Sequence, residues 1–251
     1  MGSIKLSSTI WAKIDQALDF VYPRNIYCIV CGIGILPSEE FSICPDCRSK
    51  IFFIEGKACL QCGKPIAESG ILNTCPDCSE KKRFFTRGFS CVEYEGEIKE
   101  IIHRFKYGGQ RHLMHPLGAI MVHKLKAEGL TDVDRVIPVP LHKRRERQRG
   151  FNQAELLARV IAREMGWKLD KKVLVRLQDT RSQSDLTKQE RQRNVRDAFG
   201  LFPGVSLKGE KVLLVDDIYT TGSTMDSCSR TLRQAEPAEI YILSLATGRN
   251  V

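Results

Sequence analysis

The sequence predicts an α/β protein, a mainly parallel sheet flanked by helices, preceded by a small cysteine-rich module. Two observations carry this. From residue 88 onward, short apolar runs alternate with amphipathic helical patterns, the texture of a parallel sheet whose crossovers are helices. Ahead of that point, eight of the ten cysteines fall into four CxxC pairs. The composition is that of a folded chain, with 42% hydrophobic and 27% charged side chains over 251 residues. That length suits one medium domain with an appendage, or two small ones. Disorder, collagen and coiled coil are excluded as the main architecture.

The cysteine pairs are Cys28/Cys31, Cys44/Cys47, Cys59/Cys62 and Cys75/Cys78. The first two enclose twelve residues, the last two enclose twelve again, and the unit repeats with a period of 31. Cys44-Pro45-Asp46-Cys47 returns as Cys75-Pro76-Asp77-Cys78, and Gly32 returns as Gly63. Four thiolates at this spacing suit tetrahedral zinc, two sulfurs on each of two facing knuckles. Units this short bury too little to fold alone, so metal binding and folding are coupled. A disulfide framework would need an oxidising compartment, and redox CxxC motifs come singly beside a βαβ unit. Both weigh less than two structural zinc ions. Sequential pairing, one zinc per unit, is the first choice; cross-bracing, with pair one joining pair three, stays open. Cys91 and Cys228 fall outside the pattern and read as buried apolar thiols.

In chain order, residues 1–24 hold an apolar stripe of Ile10, Trp11, Ile14, Ala17, Leu18 and Val21, a packing helix over 9–21 with Thr9 as its cap. The double zinc ribbon follows over 25–82, and Lys81-Lys82-Arg83 marks its end. The domain over 88–251 then reads as strand 89–94, helices 97–107 and 113–128, strand 133–139, helix 152–165, strands 172–177 and 211–215, helix 224–235 and strand 239–246. No apolar run approaches the ~20 residues that span a bilayer, and no leader pattern opens the chain, so a cytoplasmic protein without an integral membrane segment is expected.

Formal charge is +9, which invites a polyanionic partner. Residues 1–90 carry 11 basic and 9 acidic side chains, residues 91–251 carry 28 and 21, so most of the excess lies in the second domain.

The most specific string is Val212-Leu-Leu-Val-Asp216-Asp217-Ile-Tyr-Thr220-Thr221-Gly222-Ser223-Thr224. Four apolar residues make a strand, two carboxylates follow at its carboxyl end, and a small hydroxyl-rich turn opens a helix. Free backbone N–H groups at the helix start, close approach over glycine and hydroxyl donors together make a phosphate cradle. The carboxylates would repel that phosphate, so Asp216 and Asp217 are assigned to ribose hydroxyls and Thr220, Thr221, Gly222, Ser223 and Thr224 to the phosphate. A nucleotide P-loop is excluded because its lysine is missing. An acid pair followed by an ordinary helix cap is the bland alternative.

The string closely resembles the phosphoribosyl pyrophosphate-binding signature of type I phosphoribosyltransferases. A second string, Val136-Ile-Pro-Val-Pro140-Leu-His-Lys143-Arg144-Arg145-Glu-Arg-Gln-Arg149-Gly-Phe-Asn-Gln153, reads as a strand feeding a basic loop. Arginine forks fit pyrophosphate oxygens, so Lys143, Arg144, Arg145 and Arg149 are the pyrophosphate candidates; a solvated charge run is the alternative. The polar segment from Thr180 to Phe199 reads either as a lid over bound ligand or as a surface helix.

Together with the four CxxC pairs, the strings Ile102-His-Arg-Phe-Lys-Tyr107, Pro138-Val-Pro-Leu, Arg149-Gly-Phe-Asn-Gln-Ala154, Thr180-Arg-Ser-Gln and Arg193-Asn-Val resemble the ComF family over residues 28–248. The resemblance implies a type I phosphoribosyltransferase fold carrying an N-terminal double zinc ribbon. It also implies a role in natural transformation: movement of single-stranded DNA across the inner membrane, with a helicase partner, at that membrane's cytoplasmic face.

Two functions follow. In one, the chain binds phosphoribosyl pyrophosphate with magnesium and handles single-stranded DNA without turnover; the charge, the ribbons and the aromatics beside cations (Phe84, Phe85 and Arg87; Phe105, Lys106 and Tyr107) suit this. In the other, it is an active phosphoribosyltransferase acting on an unidentified amine or base, with magnesium carried largely by the ligand. The first is preferred.

Overall fold

The computed structural model describes residues 25–67, 73–178 and 198–248. The helix expected over 9–21 and residues 180–197 of the expected lid lie outside the described residues. Compactness divides the chain between Lys50 and Ile51.

In the first unit, the Cys28 N–H donates to the Ile33 carbonyl at 2.8 Å and the Gly32 N–H to the Cys28 carbonyl at 2.9 Å. Helix α1 (Pro45–Arg48) starts on a proline, whose missing N–H costs nothing in a first turn. The second unit opens with the same construction 31 residues on. Cys59 N–H donates to Lys64 O at 2.8 Å, Gly63 N–H to Cys59 O at 2.8 Å, and α2 (Pro76–Ser79) begins on the matching proline. The sequence repeat is thus a repeat of backbone hydrogen bonds.

The rest of the second unit is the α/β domain. Strand β1 (Arg87–Glu93) leads to α3 (Glu97–Tyr107), whose buried stripe is Ile98, Ile101, Ile102 and Phe105. Helix α4 (Met114–Ala127), β2 (Arg135–Pro138), α5 (Lys143–Arg149), α6 (Gln153–Met165) and β3 (Lys168–Leu169) follow. Then come β4 (Leu174–Arg176), β5 (Phe199–Leu201), β6 (Lys211–Tyr219), α7 (Ser223–Arg233) and β7 (Glu239–Thr247). Five strands form one sheet in the order β1-β7-β6-β2-β3, and every pairing in it is parallel. The outer edge of β1 is closed by residues 52–54: the Ile54 N–H donates to Cys91 O at 2.9 Å and the Glu93 N–H to Phe52 O at 2.9 Å, which removes an exposed ladder.

Val212 to Val215 are all buried because both faces of this sheet are covered. Val212, Leu214, Ile240 and Ile242 join a core cluster with Met225, Cys228 and Leu232 of α7. Cys59, Cys62, Cys75 and Phe85 belong to that same cluster. The second cysteine repeat is therefore part of the interior of the α/β domain. Gly63 makes this contact possible: a Cβ there would sit 2.7 Å from the Phe89 Cα on β1.

Three local expectations change. The acid pair does not follow β6 but lies within it, because Asp216 pairs with Ser244 and Ile218 with Ala246 along the ladder to β7; ladder bonds override the weak strand preference of aspartate. The expected strand 172–177 contributes Leu174–Arg176, which pairs antiparallel with β5 in a separate two-stranded sheet. The expected basic loop 143–149 is helix α5, whose N-terminal cap is His142 and which ends at Gly150 with φ 78°; Lys, Arg, Glu and Gln are all good helix formers.

Candidate functional site: a cleft at the carboxyl end of the sheet

Beyond the carboxyl ends of β2 and β6 lies a cleft of about 650 Å³, the place where open α/β sheets take their ligands. The cleft brings together residues distant in sequence. Asp216 and Asp217 come from β6, Thr220 and Thr224 from the turn and the start of α7, and Arg145 and Arg149 from α5. Lys106, Tyr107, Gln153 and Arg176 also line it. Lys143 and Arg144 are exposed and do not line the cleft. The four expected pyrophosphate residues are thus split by helical geometry, since Arg145 and Arg149 are four apart and share one side of α5.

The turn expected to take a phosphate is tightly built. Gly222 caps α7 with φ 75°, and the Thr221 and Ser223 hydroxyls are 2.7 Å apart. A Cβ at Gly222 would meet the Tyr219 hydroxyl at 2.1 Å, so both backbone angle and space demand glycine. Tyr219 itself is 2% exposed.

The acids are not equivalent. Asp217 pairs with Lys106, Nζ to Oδ2 at 2.9 Å. Burial alone would lower the Lys106 pKa, and the Asp217 carboxylate more than reverses it, so the ammonium is held charged. Among the described residues Asp216 has no such ion pair. Burial first, and then the neighbouring Asp217 charge, push its carboxyl up to about 7. Arg149 anchors the opposite wall: its Nη1 donates to Gln153 Oε1 at 3.0 Å and its Nη2 to the Tyr107 hydroxyl at 2.9 Å.

Sequence reasoning placed Lys106 and Tyr107 with nucleic acid rather than in this cleft, and it did not single out Arg176 or Gln153. The available signal for Lys106 was a basic residue beside the apolar stripe in the last turn of a helix, which sets a cation at the stripe's border. Of the aromatics proposed to stack on bases, Phe85 and Phe105 are core, while Phe84 is 43% and Tyr107 59% exposed.

The cysteines form two quartets, Cys28/Cys31/Cys44/Cys47 and Cys59/Cys62/Cys75/Cys78, with all four sulfurs of each within 4.8 Å of one another. Pairing is therefore sequential. The Cys44 N–H points at Cys28 Sγ (3.4 Å) and the Cys75 N–H at Cys59 Sγ (3.2 Å), equivalent bonds one repeat apart. Within the first quartet burial opposes ionisation, yet backbone N–H groups of Cys31, Cys44 and Val30 bring Cys28 down to about 7. In the second, the neighbouring sulfurs, Cys59 foremost, push Cys62 up. Four sulfurs this close ionise together only around a cation, and four thiolates in a tetrahedral cage fit zinc.

The comparisons with known proteins agree with the two-part architecture. A double zinc ribbon domain matches residues 17–79, and a phosphoribosyl transferase domain matches residues 150–250. Fold and site define a phosphoribosyltransferase-fold protein carrying a double zinc ribbon. Competence protein F of Haemophilus influenzae is 31% identical over 163 residues, 61% of this chain and 69% of that protein. The chain belongs to the ComF family. Competence protein ComFC of Bacillus subtilis is 28% identical over 207 residues, 78% of this chain and 79% of that one. The DNA utilization protein YhgH of Escherichia coli O6:H1 is 29% identical over 165 residues, 64% of this chain and 72% of that one. No helix among the described residues is long and apolar enough to cross a membrane.

Proposed function

We propose that this chain binds phosphoribosyl pyrophosphate with magnesium in the cleft, binds single-stranded DNA, and assists DNA uptake across the inner membrane in natural transformation. One observation supports the ligand: the acid pair Asp216/Asp217, Thr220 and Thr224 at the two ends of the turn, and the arginines Arg145 and Arg149 line one cleft, while Thr221, Gly222 and Ser223 of the turn do not line it. Ribose hydroxyls would donate to the carboxylates, the 5-phosphate would take the turn's N–H groups, and the pyrophosphate would lie against the guanidinium forks. Magnesium, when bound, neutralises pyrophosphate charge and would be carried largely by the ligand's own oxygens.

The names of the relatives, competence protein and DNA utilization protein, support the biological role, and the formal charge of +9 supports a DNA partner. A helicase partner and action at the cytoplasmic face of the inner membrane belong to the same reading. Calorimetry with phosphoribosyl pyrophosphate and magnesium tests it. Saturable binding in wild type that is lost in the Asp216→Asn/Asp217→Asn variant is expected, with zinc content unchanged. Equal binding by the variant would refute the site.

A second reading, phosphoribosyl transfer to an unidentified amine or base, is favoured by Asp216. A cleft carboxyl with a pKa near 7 is suited to take a proton from an attacking nucleophile. Release of pyrophosphate on adding candidate acceptors would establish turnover.

A further inference from the structure

Residues 81–85 lie between the second cysteine quartet and α7. Arg83 is 9% exposed, and its Nη2 donates to two carbonyls at once, Asp77 O at 3.4 Å and Thr221 O at 3.4 Å. Asp77 stands between Cys75 and Cys78, whereas Thr221 is in the phosphate turn. The neighbouring residue is fixed to both ends of α7: the Phe84 N–H donates to Asp226 Oδ1 at 3.0 Å, and Arg233 Nε donates to Phe84 O at 3.0 Å. Beneath the turn, Lys64 Nζ is 3.0 Å from Asp77 Oδ2 and 5.8 Å from the centre of the Tyr219 ring.

We propose that Arg83 is a positioning residue for the phosphate turn, holding Thr221 in register with the second cysteine quartet, so that this quartet sets the affinity for a sugar 5-phosphate. The inference rests on reading residues 220–224 as a phosphate turn. Its physics is that of a trans peptide, in which C=O and N–H point opposite ways. Drawing the Thr221 carbonyl toward Arg83 aims the Gly222 N–H away from Arg83 and keeps that carbonyl from facing an anion. A charged donor shared by two carbonyls holds this orientation more firmly than a neutral one.

The test uses the full-length, zinc-loaded chain with Arg83→Met. Affinity for ribose 5-phosphate should fall about tenfold, the size of one hydrogen bond to a charged group. Affinity for inorganic pyrophosphate, which would meet Arg145 and Arg149 instead, should not change, and two zinc ions should remain bound. Without ligand, amide exchange at Thr221 to Ser223 should quicken. Arg83→Lys, which keeps the charge, should recover part of both effects, and it replaces Arg83→Met should that variant lose zinc. Unchanged ribose 5-phosphate affinity together with unchanged exchange would overturn the proposal, as would an equal loss of pyrophosphate affinity. If wild type binds neither probe, the phosphate reading falls, and exchange alone decides whether Arg83 positions the turn.

Discussion

The Lys106 ammonium lies 2.9 Å from Asp217 Oδ2, with the two side chains 17% and 11% exposed. This pair joins the last turn of α3 to the central strand β6 and fixes one of the two acids in the cleft. Removing only the cation leaves a buried carboxylate uncompensated. Lys106→Met should therefore destabilise the protein by about 3 kcal/mol. The double variant Lys106→Met/Asp217→Asn should cost less than the sum of the singles. A double-mutant cycle in urea measures both.

Asp216 gives the stability a pH dependence. Its carboxyl is raised to about 7 in the folded protein, against roughly 4 when unfolded. Between those values the folded state holds a proton that the unfolded state has released, so stability falls as pH rises from about 4 to about 7 and then levels. The expected difference is on the order of 2 kcal/mol once the partial exposure of this side chain is discounted. Asp216→Asn should flatten that part of the profile, as read by unfolding at pH 5 and pH 8. An unchanged slope would show that Asp216 does not titrate there.

Gly222→Ala meets a positive φ and a Tyr219 hydroxyl 2.1 Å from the new Cβ. A loss of about 3 kcal/mol is expected, together with loss of phosphate binding. Tyr219→Phe should be neutral or slightly stabilising on its own, because its hydroxyl is buried with no hydrogen-bond partner among the described residues. In the Gly222→Ala background it should recover only part of the loss, since the ring carbon at 2.5 Å remains. Thermal unfolding of the three variants distinguishes these cases.

Helix α5 presents two differently employed sides. Arg145→Ala with Arg149→Ala should weaken pyrophosphate binding by at least about thirtyfold, the equivalent of one lost charged contact. Lys143→Ala with Arg144→Ala should leave that binding intact, since neither lines the cleft. If these two meet DNA phosphates, their loss lowers the salt slope of single-stranded DNA binding by about 1.4. Titrations at several salt concentrations provide the check.

Much of the architecture was legible because its signals are local. Helix 97–107 is read from its stripe to the residue, and the 31-residue cysteine period maps onto matching hydrogen bonds in both repeats. The strand, turn and helix start over 212–224 were legible because their signals are contiguous. What escaped depends on distant parts of the chain. Lys106 belongs to the cleft only because α3 ends beside β6, and Arg83 meets Thr221 across 138 positions of sequence. The helical form of 143–149 was hidden by its charge, which reads equally well as a solvated loop.

The two cysteine units are near copies in spacing, yet they have different surroundings. The first falls in the unit that ends at Lys50, and the second serves as filling for the α/β body, where its sulfurs share a cluster with Phe85 and Tyr219. A shortened version of this protein should keep everything from Ile51 onward. Trimming instead to the first strand at Arg87 would strip away one wall of the interior and leave a sticky, aggregation-prone remnant.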